Sequence, residues 1–283
     1  MWLFLAVCSA FLLGLYDVAK KYALRKNGTF AVLLVATALS TLFVSPFLRL
    51  GPVQDHLKLC LKAVLVTSSW VSGMEGLKRL PLTTVSTIKG SRPVLVVLFS
   101  VLLFGEHLNL WQWLGVAVVI GALFLLGRTS RGDGTVEVRK AGFLWMGVSV
   151  VTGVLSALYD KHIMQGLEPL FVQSWTNLYI TILLGICVLV RYLARQERTA
   201  GQKFTWDWTL LIVAVLITAA DACYFFALKQ PDALLSIISV IRRASVLVTF
   251  LCGALLFREK NLRAKAFNML LLAAGVVLLL LGS

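Results

Sequence analysis

The chain has 283 residues, 59% of them hydrophobic and 14% charged, with a formal net charge of +14. A soluble domain carries about 25% charged residues, so this composition excludes an ordinary water-soluble globule and points to a protein solvated by lipid. The positive balance does not indicate nucleic acid, because the basic residues sit in short loops between apolar runs, the pattern of a positive-inside bias.

A helix crossing about 30 Å of hydrocarbon needs about 20 mostly apolar residues. Runs of that length tile the sequence ten times. The first covers residues 2 to about 20. No basic region precedes it, and Leu5-Ala6-Val7-Cys8 lacks the small residue wanted before a lipoprotein cysteine, so it reads as a retained span and not a signal peptide. It ends in Tyr16-Asp17-Val18-Ala19-Lys20-Lys21, where Asp17 precedes two lysines in the order that favours a helical ion pair, so a local pair is expected. Span two covers about 29–48, and span three, about 59–77, carries Trp70, Ser72 and Glu75. Span four lies in 81–106; it holds Lys89 and Arg92 well inside an apolar run, breaks at Pro93 and ends in Phe104-Gly105-Glu106. Span five, about 110–127, contains Gly115, Gly121 and Gly127, which close helix packing in lipid explains. A polar linker at 128–140 then divides the chain nearly in half.

Span six, about 141–160, ends in Tyr159-Asp160-Lys161, 143 residues after Tyr16-Asp17. Span seven is about 170–190 with Trp175 and Asn177, and span eight, about 208–228, carries Asp221 and Tyr224. Span nine repeats span four at an offset of 153, with Ser239 over Ser86, Ile241 over Ile88, Arg242 over Lys89 and Glu259 over Glu106; span ten closes the chain with Gly275. Two five-span units result, 1–127 and 141–283. Five is odd, so the second copy enters the bilayer upside down. The predicted fold is an all-α integral membrane protein of ten transmembrane helices in two inverted five-helix repeats, an arrangement that places substrate sites near mid-membrane between the halves. Loops after odd-numbered spans hold 18 Lys and Arg against 5 after even ones, which puts the odd loops in the cytoplasm and both termini outside.

A charge at the bilayer centre costs about 2.5–3.5 kcal/mol. Lys89, Arg92, Arg242 and Arg243 therefore cannot face lipid. Lys89 is shallow enough to snorkel along its own stem, but Arg92 and Arg242 lie roughly ~14 Å into their spans and demand a cavity. Pro93 cannot donate to the carbonyl of residue 89 and loosens the helix beside two cations. Asp221 is the carboxylate nearest mid-span, Glu75 is shallower, and Asp17 and Asp160 lie towards span ends, so the cavity keeps a positive surplus. Such a site suits an anion, and arginine's planar fork suits phosphate or carboxylate in particular. Tyr224 and Trp70 either wall this cavity or pack between helices. His56, His107 and His162 fall in or beside loops, with no zinc-protease or serine-hydrolase motif, so an enzyme is not expected. Cys8, Cys60, Cys187, Cys223 and Cys252 have neither metal-ligand nor disulfide spacing; no metal or cofactor is implied.

The small-residue first span, the Ala227-Leu228-Lys229 end of span eight, the closing Phe104-Gly105-Glu106 and Phe257-Arg258-Glu259, and the Leu114-Gly115 to Gly121 run resemble the drug/metabolite transporter superfamily, in its ten-span EamA branch. The resemblance covers essentially the whole chain. It implies alternating-access transport of a small metabolite through a cavity lined by spans three, four, eight and nine. Plastid phosphate translocators of that superfamily hold phosphate with a lysine in the fourth span and a Lys-Arg pair in the ninth, to which Lys89 and Arg242-Arg243 are similar in position.

The expected function is secondary-active transport of a small organic anion, phosphorylated or carboxylated, with Lys89, Arg92, Arg242, Arg243, Asp221, Tyr224 and Trp70 as binding residues. Asp17, Asp160, Glu75 and Pro93 are the candidates for coupling or gating, through protons or a counter-substrate. Export of neutral or zwitterionic metabolites such as amino acids, with the arginines neutralised by Asp221 and Glu75, is the alternative, as is flipping of a lipid-linked phosphate. The expected partners are the substrate and the bilayer, and a monomer suffices. The expected location is a bacterial inner membrane.

Overall fold

The computed structural model describes residues 1–77, 79, 80, 85, 88, 89, 91–129, 140–193, 204–257 and 262–282. Among them the secondary structure is helical, without a strand. In chain order the helices are α1 (Trp2–Ala23), α2 (Thr29–Val44) with a 3-10 turn at Ser45–Phe47, α3 (Val53–Leu77), α4 (Arg92–Phe104), α5 (Leu110–Thr129) and α6 (Lys140–Met164). They continue with α7 (Pro169–Leu193), α8 (Trp208–Lys229), α9 (Leu235–Arg243), α10 (Ser245–Phe257) and α11 (Leu262–Leu281). Among the described residues seven segments are long and apolar enough to cross a membrane, one of them running through α9 into α10, and three shorter apolar helices accompany them. Large apolar side chains such as Phe4, Phe11, Leu102, Leu103 and Leu270 are exposed. In water so much exposed apolar surface is untenable; in a bilayer it is the required outer surface of a multi-pass membrane protein. Most of the 128–140 linker lies outside the described residues, as do Lys78, Pro81, Ser86 and Glu259.

Helices pack across the two halves of the chain. α1 lies mainly against α8, α3 against α6, and α2 against α7, while α4 meets α6 and α9, and α1 also meets α9 and α10. α5 and α11 pack on each other. Their crossing depends on two glycines: a Cβ on Gly115 would stand 2.9 Å from the Gly275 carbonyl oxygen, and one on Gly275 would stand 3.1 Å from that of Gly115. Packing does not explain Gly121, where a Cβ would have open space around it.

Two elements differ from the sequence expectation. α3 begins at Val53, two turns before the predicted span, because Gly51-Pro52 ends the preceding loop and Pro52 accepts the first turn's amides. The ninth predicted span is two helices joined at Ala244. There the Ala244 amide donates to Ile241 at 2.8 Å, a 3-10 step, and the helix restarts at Ser245. Ser91 does the same in the first half, donating to Ile88 at 3.1 Å before α4 starts at Arg92. Pro93 fits the first turn of α4, where a missing amide costs nothing. The second break has no proline, so proline is not the shared cause.

α9 is nine residues long and deeply buried, with Leu235, Ile237 and Ile238 at 0% exposure. Its N-terminal amides are capped from the other half of the chain. Gly105 takes a left-handed conformation (φ 61°), ends α4 and turns the chain so that Glu106 points inward. The buried Glu106 carboxylate accepts from the Leu235 amide at 2.6 Å, the Ser236 amide at 3.0 Å and the Ser236 hydroxyl. Lys161 donates to the Ala233 carbonyl beside them.

At the opposite end of the bundle the α1–α2 loop is tied to the start of α8. Asn27 and Thr205 exchange two hydrogen bonds of 2.9 Å, and Lys26 meets Asp207 at 2.7 Å. Asp207 also caps α8, accepting from the Thr209 amide at 3.0 Å. The Lys26 hydrogen bond, then the Thr209 amide, hold the Asp207 carboxyl down to about 2.

Glu106→Ala leaves three buried donors without an acceptor and is expected to destabilise the protein by about 1–3 kcal/mol or more, read as a lower unfolding midpoint in detergent. The depressed Asp207 carboxyl gives a pH signature: its stabilisation is complete above the ordinary carboxylate range and is lost as pH falls through about 2. Asp207→Asn should therefore lower the unfolding midpoint at about pH 5 to 7, by progressively less as pH falls towards about 2, and leave it unchanged below that.

Candidate functional site

Between the halves lies a cavity of about 450 Å³, within the range of small-molecule sites. α3 contributes one stripe at helical spacing, Lys62, Val66, Ser69, Trp70, Gly73 and Met74. Ser69 and Ser149 lock α3 to α6 by exchanging side-chain hydrogen bonds to each other's carbonyls at 2.8 and 2.7 Å. α6 adds Asp160, α8 adds Asp221 and Tyr224, α9 adds Arg242 and Arg243, Lys89 comes from just before α4 and Arg92 from its first residue. α1 brings Tyr16, Asp17 and Lys20, while α2 and α7 supply Leu33, Thr176 and Asn177. The lining therefore draws on more of the bundle than the four spans expected.

Six cations and three carboxylates line this space: Lys20, Lys62, Lys89, Arg92, Arg242 and Arg243 against Asp17, Asp160 and Asp221. Two pairs neutralise each other. Arg242 meets Asp221 at 2.8 Å, and Lys62 meets Asp160 at 2.6 Å. The pairs join through Tyr224: its hydroxyl donates to Asp160 at 3.3 Å, and the Arg242 guanidinium stacks 4.0 Å from its ring centroid. Lys62 also sits 3.9 Å from the Phe225 ring centroid. A lysine in so dry a place persists only because carboxylate and π face both receive it.

Arg92 is held differently. It donates to the Gly153 carbonyl at 2.6 Å, lying so close to α6 that a Cβ on Gly153 would be 2.6 Å from the guanidinium carbon. A glycine is required there for the cation to seat. Lys89 and Arg243 make no hydrogen bond or ion pair with the described residues, so their charges remain available in the cavity. Asp17 likewise makes no ion pair with the described residues, and Lys20 and Arg243 are opposite charges acting on it. The predicted Asp17–Lys20 ion pair does not form, since Lys20 turns instead over the Tyr16 ring, 5.2 Å from its centroid.

Burial is graded along the cavity. Asp17 and Lys89 are exposed, whereas Lys62, Asp160 and Tyr224 are 2%, 6% and 5% exposed. The cavity thus opens towards the bundle end that carries the α1–α2 loop and is shut at the end that carries the α6–α7 loop.

Of the residues predicted from sequence, Lys89, Arg92, Arg242, Arg243, Asp221, Tyr224, Trp70, Asp17 and Asp160 come together around one space. Pro93 is buried in the first turn of α4. Glu75 lies elsewhere, bridging Arg79 at 2.5 Å and Arg191 at 2.6 Å, so it does not neutralise the central arginines. Asp160 is not a span-end residue, because α6 runs on to Met164. Lys62 was not singled out by sequence: three residues inside a span read as starting near 59, it looks interfacial. The available signal was its place on one helical face with Ser69, Trp70 and Gly73.

The EamA-like transporter family matches residues 1–128 and 140–281. A protein of Sinorhizobium sp described as an uncharacterized transporter in the cobO 3' region is 29% identical over 134 residues, which are 44% of this chain and 95% of that protein. A solved structure described only as a crystal structure of a protein superposes with a TM-score of 0.77 over 100% of this chain and 99% of its own, at 16% identity, a likeness of fold.

Removing one partner of a buried ion pair strands the other, at a cost of about 3–5 kcal/mol. Lys62→Met alone should therefore destabilise strongly, and Lys62→Met combined with Asp160→Leu should recover much of the loss, as measured by unfolding of the two single variants and the double.

Proposed function

The chain belongs to the EamA-like transporter family, and from that membership we propose that it is a secondary-active transporter carrying a small organic anion by alternating access. The observation that carries the anion reading is the cavity's charge: after the Lys62–Asp160 and Arg242–Asp221 pairs, Lys20, Lys89, Arg92 and Arg243 face a single unpaired carboxylate, Asp17. Lys89 and Arg243 supply unengaged donors to a phosphate or carboxylate, Arg92 fixes the positive field from its seat on Gly153, and Trp70 and Tyr224 wall the site. Burying such cations without an anion to receive them would be a standing cost, so a structural membrane protein has no use for them.

The transmembrane architecture we read here is ten spans in two inverted five-helix units, 1–127 and 141–283, joined by the 128–140 linker. The seven long and three short apolar segments support the count. The pairing of α1 with α8 and of α6 with α3 supports the inversion, since exchanging the halves turns one pair into the other. A relative of which 134 residues make up 95% has the size of one unit. With the basic loops in the cytoplasm, the open end faces the cytoplasm and the Lys62–Asp160–Tyr224 cluster closes the outer end of a bacterial inner-membrane protein. Asp160 and Asp17 are the residues for coupling to protons or a counter-substrate.

A second reading, transport of zwitterions such as amino acids, draws on the unpaired Asp17 carboxylate, which can receive an ammonium while Arg243 receives a carboxylate.

Proteoliposomes screened with organic phosphates, dicarboxylates and amino acids separate the two. For the anion reading, Lys89→Gln and Arg243→Gln each lower uptake of the carried anion roughly tenfold or more, the value of a charge-assisted hydrogen bond. Robust anion uptake by both variants overturns it, and loss of amino-acid uptake in Asp17→Asn favours the second reading.

A further inference from the structure

The repeat relates two pairs of charged residues that sit in opposite circumstances. Asp17 and Asp160 are 143 residues apart, and Lys89 and Arg242 are 153 apart, the offsets of the two copies. At the shut end, Asp160 and Arg242 are joined through one side chain, the Tyr224 hydroxyl binding the first and the ring face the second. At the open end, Asp17 and Lys89 are exposed and make no ion pair among the described residues.

The position equivalent to Tyr224 is Gly73, since Leu77 of α3 aligns with Leu228 of α8. Lys89 already lies over that glycine: a Cβ there would be 3.7 Å from its Nζ, as Arg242 lies over the Tyr224 ring. Gly73 supplies no ring for the two charges to share at this end. A carboxylate brought to the place that Asp160 holds at the other end would therefore meet the ammonium directly. The neighbours fit this: Lys20, which shares the open end with Asp17, is drawn to the Tyr16 ring, and Arg92 is fixed to Gly153, so Lys89 is the cation left uncommitted beside Gly73.

We propose that Asp17 and Lys89 are a gate pair that closes over Gly73 as a direct ion pair when the now open end of the cavity shuts and the Lys62–Asp160–Tyr224 end opens. This rests on the inverted-repeat, alternating-access reading above. Lys89 then has two partners in turn, substrate when the end is open and Asp17 when it is shut. The pair gives the closed state something that the open state lacks, a differential contact able to shift the equilibrium between them.

The test uses Ser239→Cys, in the cavity wall, in a full-length chain with Cys8, Cys60, Cys187, Cys223 and Cys252 replaced by alanine. A membrane-impermeant maleimide is applied to right-side-out and inverted vesicles without added substrate. Labelling from the face of the shut end requires the other state. We expect Asp17→Lys and Lys89→Asp each to slow that labelling roughly fivefold or more, and the double reversal Asp17→Lys with Lys89→Asp to restore it to within about twofold. The neutral variants Asp17→Asn and Lys89→Gln should slow it in the same direction, and labelling from the open face reports that each variant is folded. Unchanged shut-face labelling in the single variants overturns the gate while leaving the transport reading intact, as does a double reversal no faster than the singles. A parent chain never labelled from the shut face has no second state, and overturns alternating access itself.

Discussion

A cation in hydrocarbon costs several kcal/mol unless an opposite charge, a π face, a backbone carbonyl or water receives it, and this chain places six of them around one space between its halves. Each of those four solutions is in use. Lys62 has a carboxylate and an aromatic face, Arg242 has both as well, Arg92 has the carbonyl of Gly153, and Lys89 has the water-accessible cavity. The cavity follows from the cations as much as it holds them: without the space, Lys89 and Arg243 would have nothing to face. The cross-half packing of α3 on α6 and α1 on α8 is the scaffold that keeps these solutions within reach of one another.

The interruptions at Ser91 and Ala244 serve the same need. A helix continuous past Arg242 and Arg243 would carry α10 straight on along the axis of α9. The 3-10 step at Ala244 ends α9 just after them and lets α10 leave in its own direction towards α1 and α11. Helix breaks at membrane depth survive only where protein or a cavity satisfies the freed backbone, and both lie beside this cavity.

How much of this could be read from the sequence depended on whether the signal was local. Apolar runs of membrane length and basic residues deep within them are local, so the helical membrane architecture and nine residues around the cavity were legible. Pairing is not local. Asp17 and Asp160 each follow a Leu-Tyr pair, yet one is exposed without an ion pair among the described residues while the other is buried against Lys62, because Lys62 on α3 has Val213 as its counterpart on α8. Glu75 is a sequence candidate for coupling or for neutralising the arginines, yet Arg79, just after α3, and Arg191 of α7 claim it elsewhere. The Phe-Gly-Glu signature stood out as a repeat marker. Its physical content, a left-handed glycine aiming a carboxylate at another helix's amides, required the fold.

That carboxylate has a consequence for how the chain is built during synthesis. Nine residues make a helix about 14 Å long, less than half the hydrocarbon thickness, and α9 ends in two arginines. Such a segment reaches membrane length only together with α10. Its first amides find their acceptor on Glu106, translated 129 residues earlier. The second half is thus not a self-sufficient unit inserted beside a finished first half. Its central element is complete only when the Glu106 carboxylate of the first half is in place to accept these amides.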